Sequence, residues 1–275
     1  MTPTSTDQQA SQDQNHPFMM ACRVHEFGSP SVIRFERVPR PTPGPGEVLV
    51  KVEAAGVGPW DAWIRAGNSA LPQPLPLTLG SDLSGEIIDV GPGISEPRVG
   101  DQVYGVTNPR FIGAYAEYAL ASAAMVSKKP TSLTYIEAAS VPVIAVTASQ
   151  ALFDQAELKA GQTVVIHGAA GNVGAYTVQF AKRAGLRTVA TAAADDLAFV
   201  HDLGADTVID FHTQRFEDQV GNADLVLVGS YVQDGIEIGR WVNATANNLT
   251  AFYDIDTPVT LGKLAQGRLE YLKPS

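Results

Sequence analysis

The hydrophobic pattern of the chain changes near its middle, from short strand-like stretches to longer helical ones. In the first half, β-branched and aromatic residues form short clusters or alternate with polar residues, as in EVLVKVEA at 47–54. Glycine and proline punctuate these stretches, most densely at 39–46. Short strands joined by such turns predict a small barrel-like β domain. The predicted strands are residues 21–27, 33–38, 47–54, 80–90 and 102–106.

From residue 131 onward the pattern predicts alternating helices and strands. Thr134 is a candidate N-cap, with Glu137 three residues later completing a capping box. Helical stretches follow at 145–152 and 195–203. A β-α-β-α-β order predicts a doubly wound parallel sheet, so the fold class is α/β. The predicted strands of this sheet are residues 163–166, 187–191, 207–210 and 224–228.

A glycine-rich turn follows directly after the strand at 163–166. The segment HGAAGNVG (167–174) contains Gly168, Gly171 and Gly174, and a helical pattern then continues to Gly185. Against the motif G-x-G-x-x-G, the first glycine is replaced by Ala169. A strand, a glycine turn and a helix in succession are typical of a dinucleotide-binding unit, because the backbone must approach a pyrophosphate closely. An ordinary strand-to-helix turn also favours glycine, so this interpretation depends on its context.

Composition and charge exclude several classes of protein. The 275 residues, 45% of them hydrophobic, suffice for two domains, and we expect residues 19–130 and 131–275 to form them after a disordered polar tail at 1–18. A net charge of −10 does not favour nucleic acid or an anionic membrane as a partner. No apolar run is long enough to span a bilayer. Cys22 is the single cysteine, which excludes an intrachain disulfide and fits a cytoplasmic location.

Six motifs, in order, resemble the zinc-independent medium-chain dehydrogenase/reductases, in particular their quinone oxidoreductase branch. The resemblance covers about residues 19–227. It implies an N-terminal GroES-like β barrel domain followed by a Rossmann domain. The motifs are GVGPWDAWIRAG (56–67), LGSDLSGEIIDVGPG (79–93), VGDQVYG (99–105), GAYAEYAL (113–120), EAASVPVIAVTASQAL (137–152) and HGAAGNVG (167–174).

The resemblance also implies that catalytic zinc is absent. Zinc-bearing relatives hold the metal with a cysteine, a His-Glu pair and a later cysteine or histidine. Here the corresponding residues are Gly58, the pair Ser81 and Asp82, and the segment 141–143, which contains no zinc ligand. We therefore expect no metal site. Quinones and conjugated carbonyls accept hydride without a Lewis acid, so the resemblance implies such a small-molecule substrate.

Three residues near the start of the first motif are the candidate catalytic residues. Relatives in this branch carry Asn at the position of Gly58 and Tyr at that of Trp63. Asp61 remains, either as a proton donor or as a structural carboxylate bonded to nearby backbone. Trp60 and Trp63 either form an aromatic wall for a flat substrate or pack in the core. Tyrosines are further candidate proton donors, although tyrosine in strands usually serves packing: Tyr104, Tyr115 and Tyr118.

The expected cofactor is NADP(H), with NAD(H) left open. An NAD-specific site has Asp or Glu about 20 residues after the turn, where this chain has Ala192. However, no Lys or Arg lies between residues 188 and 200, and Asp195 and Asp196 would repel a 2′-phosphate. The expected cofactor-binding residues are Thr147, Ala170, Gly171, Asn172, Val173, Gly174, Thr191, Ala192, Phe211 and Gly229.

The C-terminal region departs most from the family pattern. Residues 230–275 leave room for a fifth strand at 249–253 and a short helix or strand at 261–272, so we expect a shortened C-terminus. The leading hypothesis is an NADPH-dependent reductase of a quinone, enone or enal. The alternative is a catalytically degenerate NAD(P)H-binding protein that acts as a sensor or structural protein. The resemblance leaves a homodimer open.

Overall fold

The structure is a computed structural model that describes residues 17–69, 71–229 and 235–253. The chain divides into two compact units, Met1–Val143 and Ile144–Ser275. Each unit has hydrophobic cores of its own.

The first unit is built from two antiparallel sheets. One has five strands in the order β7-β3-β5-β6-β8 and the other has three in the order β2-β1-β4. The elements are β1 (Phe18–Val24), β2 (Ile33–Pro39), β3 (Glu47–Ala55), α1 (Pro59–Arg65), β4 (Leu77–Thr78), β5 (Asp82–Val90), β6 (Gln102–Val106), β7 (Tyr118–Ser122), β8 (Val126–Lys128) and α2 (Tyr135–Ala139), with 3₁₀ turns at Pro30–Val32 and Ala123–Met125.

Strand β3 is buried on both faces, whereas its alternating sequence predicts one exposed face. Val48 and Val50 pack into the core of the five-stranded sheet, while Leu49 packs on the opposite side against Met19 and Ala21 of β1. The three-stranded sheet therefore covers the face that the alternation leaves open. Alternation predicts a strand and its inner face, but not a second layer on the outer face.

Helix α2 begins at the capping box predicted from the sequence. The Thr134 hydroxyl accepts a hydrogen bond from the Glu137 amide at 3.2 Å, and the Glu137 carboxylate accepts one from the Thr134 amide at 2.8 Å. Both backbone donors would otherwise lack an intrahelical acceptor.

The second unit contains a five-stranded parallel sheet in the order β11-β10-β9-β12-β13. This is the doubly wound order with β9 as the first strand. The elements are α3 (Pro142–Ser149), which begins at the end of the first unit and leads into a π-helical turn at Gln150–Gln155, then β9 (Thr163–His167), α4 (Asn172–Arg183), β10 (Arg187–Ala192), a 3₁₀ turn at Ala194–Asp196, α5 (Leu197–Asp202), β11 (Thr207–Asp210), α6 (Glu217–Asn222), β12 (Leu225–Gly229), α7 (Gly235–Thr245) and β13 (Leu249–Tyr253).

Strand β9 lies at the centre of this sheet and is buried on both faces, as its β-branched run predicts. Val164 and Ile166 pack with α4 and α5 on one face, and Val165 packs with α6 and α7 on the other. Helices therefore cover both faces of the sheet, which completes the predicted α/β fold.

Three sequence predictions need correction at their boundaries. The first strand runs from Phe18 to Val24 rather than over 21–27, so the predicted tail at 1–18 ends too late. Phe18 pairs with Pro39, and its ring lies 4.4 Å from the Arg37 guanidinium carbon. The helix predicted at 195–203 is split into a 3₁₀ turn and α5.

The predicted fifth strand at 249–253 is confirmed as β13, which pairs with β12. The element predicted at 261–272 lies outside the described residues. The division between the units falls after Val143 rather than at residue 130. Residues 131–143 belong with the first unit because they are hydrogen-bonded to it. The Ser84 hydroxyl donates to the Tyr135 carbonyl, and the Val143 amide donates to Asp82 at 2.8 Å.

Candidate catalytic and nucleotide-binding sites

The candidate catalytic residue Asp61 lies in the first turn of α1, buried to 5% exposure. Its Oδ2 atom accepts two hydrogen bonds of 2.8 Å, from the Gly58 amide and from the Tyr115 hydroxyl. The first satisfies a backbone donor at the start of the helix. Oδ1 is buried and has no hydrogen-bond partner among the described residues. One oxygen of this carboxyl is therefore held by the fold while the other is unpaired.

Burial raises the pKa of Asp61 to about 6. The hydrogen bonds from Gly58 and Tyr115 and the backbone of Gly80 work in the opposite direction, because they stabilise the carboxylate, and the charge of Asp82 adds to the rise. Burial and the neighbouring Asp61 charge raise the pKa of Tyr115, so its hydroxyl stays protonated and donates. The Asp61 carboxyl therefore changes between its protonated and ionised forms at a pH of about 6, close to neutral.

The indole of Trp60 occupies the space that a side chain at residue 58 would need. A Cβ atom built on Gly58 would lie 2.2 Å from Trp60 Cζ2. Trp60 is 6% exposed and meets the Phe111 ring edge-on at 6.5 Å. Of the two interpretations of this tryptophan, its position matches packing in the core. Trp63 lies half-buried on the same helix.

A chain of buried hydrogen bonds connects Trp60 to Val143, within the first unit. The indole N–H donates to the Ser81 hydroxyl at 2.8 Å, which donates to Asp82 Oδ2 at 2.6 Å. Asp82 Oδ1 accepts from the Val143 amide at 2.8 Å. Burial raises the pKa of Asp82, and the hydrogen bonds from Ser81 and Val143 oppose that rise. The structure therefore brings Asp61 and Trp60 together with Ser81 and Asp82.

The turn after β9 has its left-handed glycine one residue earlier than the motif alignment predicts. Gly168 adopts a φ of +78°, while Ala169 is fully buried in the core. A left-handed backbone favours glycine, and a buried methyl group suits the next position. The alanine that interrupts G-x-G-x-x-G therefore does not weaken the turn, because Gly168 makes the reversal.

Gly171 and Asn172 are exposed at the start of α4, where Gly171 is the N-cap. The φ of Gly171 is −70°, an ordinary value, so its role does not depend on an unusual backbone angle. A Cβ on Gly174 would lie 2.4 Å from the Gly168 carbonyl oxygen, so this glycine lets the helix pack onto the turn. Ala170 is half-buried and Val173 is buried beneath the turn.

The other candidate cofactor residues lie at the ends of strands or on α3. Thr191 and Ala192 close β10, and both are buried, with exposures of 0% and 2%. Phe211 follows β11 and is half-buried, and Gly229 is the buried last residue of β12. The ends of β9 to β12 share one edge of the parallel sheet, the edge at which such folds bind ligands. Thr147 lies half-buried on α3.

Sequence reasoning missed His167, the last residue of β9. It is 6% exposed, and its Nδ1 lies 2.7 Å from the Thr191 hydroxyl. Its ring stacks on Phe216 at 5.8 Å with an interplanar angle of 15°, and meets Phe211 edge-on at 5.9 Å. Burial lowers its pKa to about 4, so it is neutral at pH 7. A histidine that ends an apolar buried strand is the sequence signal for it.

Comparison with known proteins identifies the family. Residues 44–131 match the alcohol dehydrogenase GroES-like domain. The quinone oxidoreductases of Pongo abelii and Homo sapiens are each 37% identical over 204 residues, 74% of this chain and 61% of theirs. The chain thus spans about three fifths of the length of these curated relatives.

Solved structures extend the comparison to most of the chain. The quinone oxidoreductase from Coxiella burnetii is 32% identical, with a TM-score of 0.74 over 90% of this chain and 87% of the other. The chain belongs to the quinone oxidoreductase branch of the medium-chain dehydrogenase/reductases. A mycobacterial protein solved as a complex with NADPH is 26% identical, with a TM-score of 0.70 over 92% of this chain and 90% of the other.

The residues at the positions that hold zinc in zinc-bearing relatives contact other groups of this chain. Gly58 lies against the indole, and Ser81 and Asp82 are both in the buried hydrogen-bond chain. Within the described ranges, no three His, Cys, Asp or Glu side chains group as a metal site would require. Over the same ranges, no helix has the length and apolarity needed to cross a bilayer.

The contact between Gly58 and Trp60 predicts coupled effects of substitution. Gly58→Asn should destabilise this quinone oxidoreductase-like protein by about 1–3 kcal/mol, because the new side chain displaces the indole. In a protein that also carries Trp60→Ala, Gly58→Asn should lower the free energy of unfolding by at least about 1 kcal/mol less. Urea unfolding of the two single variants and the double variant measures this difference as the coupling energy of a double-mutant cycle.

The control for this cycle is Gly93→Asn. That glycine faces open space at a φ of +83°, a region that asparagine tolerates, so the change should be close to neutral. Additive effects of the Gly58 and Trp60 substitutions would show that the indole does not fill the space at residue 58.

The raised pKa of Asp61 predicts a pH dependence of stability. Because its folded-state pKa is above the unfolded value, the folded protein binds this proton more tightly. The free energy of unfolding should therefore fall as the pH rises from about 4 to about 6. The rise of the Asp61 pKa from 3.8 to about 6 corresponds to roughly 3 kcal/mol of unfolding free energy. Asp61→Asn should therefore make the decrease in the free energy of unfolding over this pH range smaller, by a few kcal/mol at most.

Urea unfolding at several pH values measures this difference. Asp101→Asn is the contrasting control. In the unmodified protein the Asp101 carboxylate accepts a hydrogen bond from the Arg98 amide, which lowers the pKa of Asp101. That carboxylate contributes stability above its unfolded pKa, and the contribution is lost as the pH falls. An Asp61→Asn variant with the same pH profile as the unmodified protein would contradict the assigned shift.

Proposed function

We propose that this protein is an NADPH-dependent oxidoreductase that reduces a quinone or another activated carbonyl or alkene without zinc. The observation that carries the proposal is the turn at Gly168–Gly174, on the first strand of a doubly wound sheet. The proteins that this chain resembles include quinone oxidoreductases and a mycobacterial protein solved with NADPH.

The start of α4 suits a pyrophosphate. The first amides of a helix lack intrahelical acceptors and carry the positive end of the helix dipole. Here the N-cap is Gly171, which has no side chain to occupy that place, and the first turn of α4 contains no acidic residue. Asn172 is exposed at the first position of the helix, so a phosphate can approach its backbone, while the Gly171 amide donates to the Gly168 carbonyl at 3.0 Å. The residues present therefore fit a dinucleotide.

NADPH, when bound, supplies the hydride. The preference over NADH rests on Ala192, which ends β10 where an NAD-specific site has a carboxylate. Asp195 and Asp196 lie beyond it in the exposed 3₁₀ turn and oppose a 2′-phosphate, so the preference is a proposal that a direct comparison must test.

Zinc independence is supported by what occupies the ligand positions. Gly58 offers no donor atom and its side-chain space is filled by Trp60, while both Asp82 oxygens accept hydrogen bonds. A quinone or enone is already electron-poor, so positioning it for hydride transfer suffices without a Lewis acid.

Asp61 is the proposed source of the proton. Its Oδ1 atom is unpaired among the described residues, and the Tyr115 hydroxyl holds the other oxygen. A carboxyl with a pKa of about 6 is protonated often enough near neutral pH to act as a general acid. Trp63, half-buried on the same helix, remains the proposed aromatic contact for a flat substrate.

A second candidate function is nucleotide binding without catalysis. The deep burial of Asp61 and Trp60 favours it, because a group at 5% or 6% exposure reaches a substrate only if its surroundings move. Turnover separates the two functions.

The proposed function predicts that NADPH is oxidised by at least one quinone, enone or enal in the presence of a metal chelator. The assay is loss of NADPH absorbance across a panel of acceptors, with NADH run in parallel. Binding without oxidation of any acceptor would favour the second candidate. The absence of binding at millimolar NADPH would overturn both candidates, and activity that a chelator abolishes would overturn zinc independence.

The phosphate turn predicts a specific loss of affinity. Gly171→Val should keep the fold, because the backbone angles are ordinary and a Cβ meets only the Gly168 carbonyl oxygen at 3.2 Å. The branched side chain would then lie beside the first helix amides and should weaken NADPH binding at least about tenfold, or roughly 1.4 kcal/mol.

Gly239→Val is the matched control for Gly171→Val. It makes the same substitution in the same unit, on α7, where a Cβ has nothing within 4 Å. Fluorescence titration with NADPH and circular dichroism measure affinity and folding separately. If Gly171→Val lowers the melting temperature but leaves the affinity of the folded protein unchanged, the turn is not the phosphate site.

A further inference from the structure

His167 ends β9 immediately before the left-handed residue of the turn, Gly168. It is directly opposite Thr191 in the pairing of β9 with β10. This register places the imidazole and the threonine hydroxyl side by side at the edge of the sheet where the turn begins.

Thr191 holds the first two amides of the turn. Its hydroxyl lies 3.4 Å from the Gly168 nitrogen, which donates, and its carbonyl accepts from the Ala169 nitrogen at 3.0 Å. The hydroxyl is fully buried, with no exposed surface. Thr191 therefore bonds to the backbone of the turn from inside the protein.

The hydrogen-bond network assigns the state of His167. The Thr191 oxygen accepts from the Gly168 amide, and the imidazole Nδ1 at 2.7 Å is the acceptor that its buried hydroxyl hydrogen meets among the described residues. If Nδ1 donated instead, that buried hydrogen would be left without a partner, which is costly. Nδ1 is therefore the acceptor, and the proton of the neutral ring is on Nε2. The low pKa of the buried ring agrees with this neutral state.

Aromatic side chains fix the plane of the imidazole. Phe216 stacks on it, Phe211 meets it edge-on, and Trp241 packs edge-on against Phe216 at 5.2 Å. These contacts therefore fix the plane of the ring, and the hydrogen bond with Thr191 selects the edge on which Nδ1 lies.

The geometry points to His167 as a positioning residue of the dinucleotide turn, acting through the Thr191 hydroxyl on the Gly168 amide. This inference rests on the proposed function, since the turn matters to affinity only if it binds the dinucleotide phosphates. It assigns Thr191 a role from inside the protein, in place of direct contact with the cofactor.

Four variants separate this chain of hydrogen bonds from simple packing. Thr191→Val keeps the shape and removes the hydroxyl, whereas Thr191→Ser keeps the hydroxyl. His167→Phe keeps the aromatic ring and removes the acceptor, whereas His167→Asn offers an acceptor near the position of Nδ1.

We expect Thr191→Val and His167→Phe each to raise the Kd for NADPH about five- to tenfold, the effect of one hydrogen bond. The double variant should be no weaker than the weaker single variant, because both remove one connected unit. Thr191→Ser and His167→Asn should stay within about threefold of the unmodified protein. Fully additive losses, or no loss in either single variant, would overturn the inference.

Amide hydrogen exchange, measured residue by residue by NMR without cofactor, tests the inference independently. Exchange at Gly168 should accelerate in Thr191→Val and in His167→Phe, while Ala169, bonded to the Thr191 carbonyl, serves as the internal control. If the unmodified protein does not bind NADPH, the proposed function fails and the exchange result still decides the inference. Unchanged exchange at Gly168 in both variants would overturn it.

Discussion

The second unit depends on one close contact, that of the first turn of α4 with the backbone of Gly168. Gly174 allows it, since any side chain there would meet the Gly168 carbonyl oxygen. The contact fixes where the helix begins relative to β9, and β9 is the strand on which the rest of the sheet is ordered. The start of the helix at Asn172 and the close packing of its first turn on the buried Ala169 follow from it.

Both units bury polar groups and satisfy most of them through short chains of hydrogen bonds. In the first unit the chain runs from Trp60 through Ser81 to Asp82, and in the second it runs from Gly168 through Thr191 to His167. Such networks specify one arrangement of a core, because each member left without a partner is costly. The unpaired Asp61 Oδ1 is an exception among the described residues, and it lies where chemistry is proposed.

The fold could be predicted from the sequence wherever one local rule acts alone. The buried run of β9, the capping box at Thr134 and the late strand at 249–253 each follow from the pattern of a few residues. The second layer over Leu49 could not be predicted, because it depends on residues far away in the chain.

The sequence predicts less of the candidate site than of the fold. It predicts the glycine turn, but the motif assigns the first position of that turn to Ala169, since a motif counts residues and does not report backbone angles. The contact of Trp60 with Gly58 and the pairing of His167 with Thr191 join residues whose side-chain directions only the folded chain determines.

The placement of the tryptophans has an optical consequence. Trp60 is buried with its indole N–H bonded to Ser81, whereas Trp241 packs edge-on against Phe216 beside the His167 ring. The two indoles lie in different units and in different surroundings. Their emission should differ in wavelength and quenching, so single-tryptophan versions of the chain would provide a separate spectroscopic signal for the loss of packing in each unit.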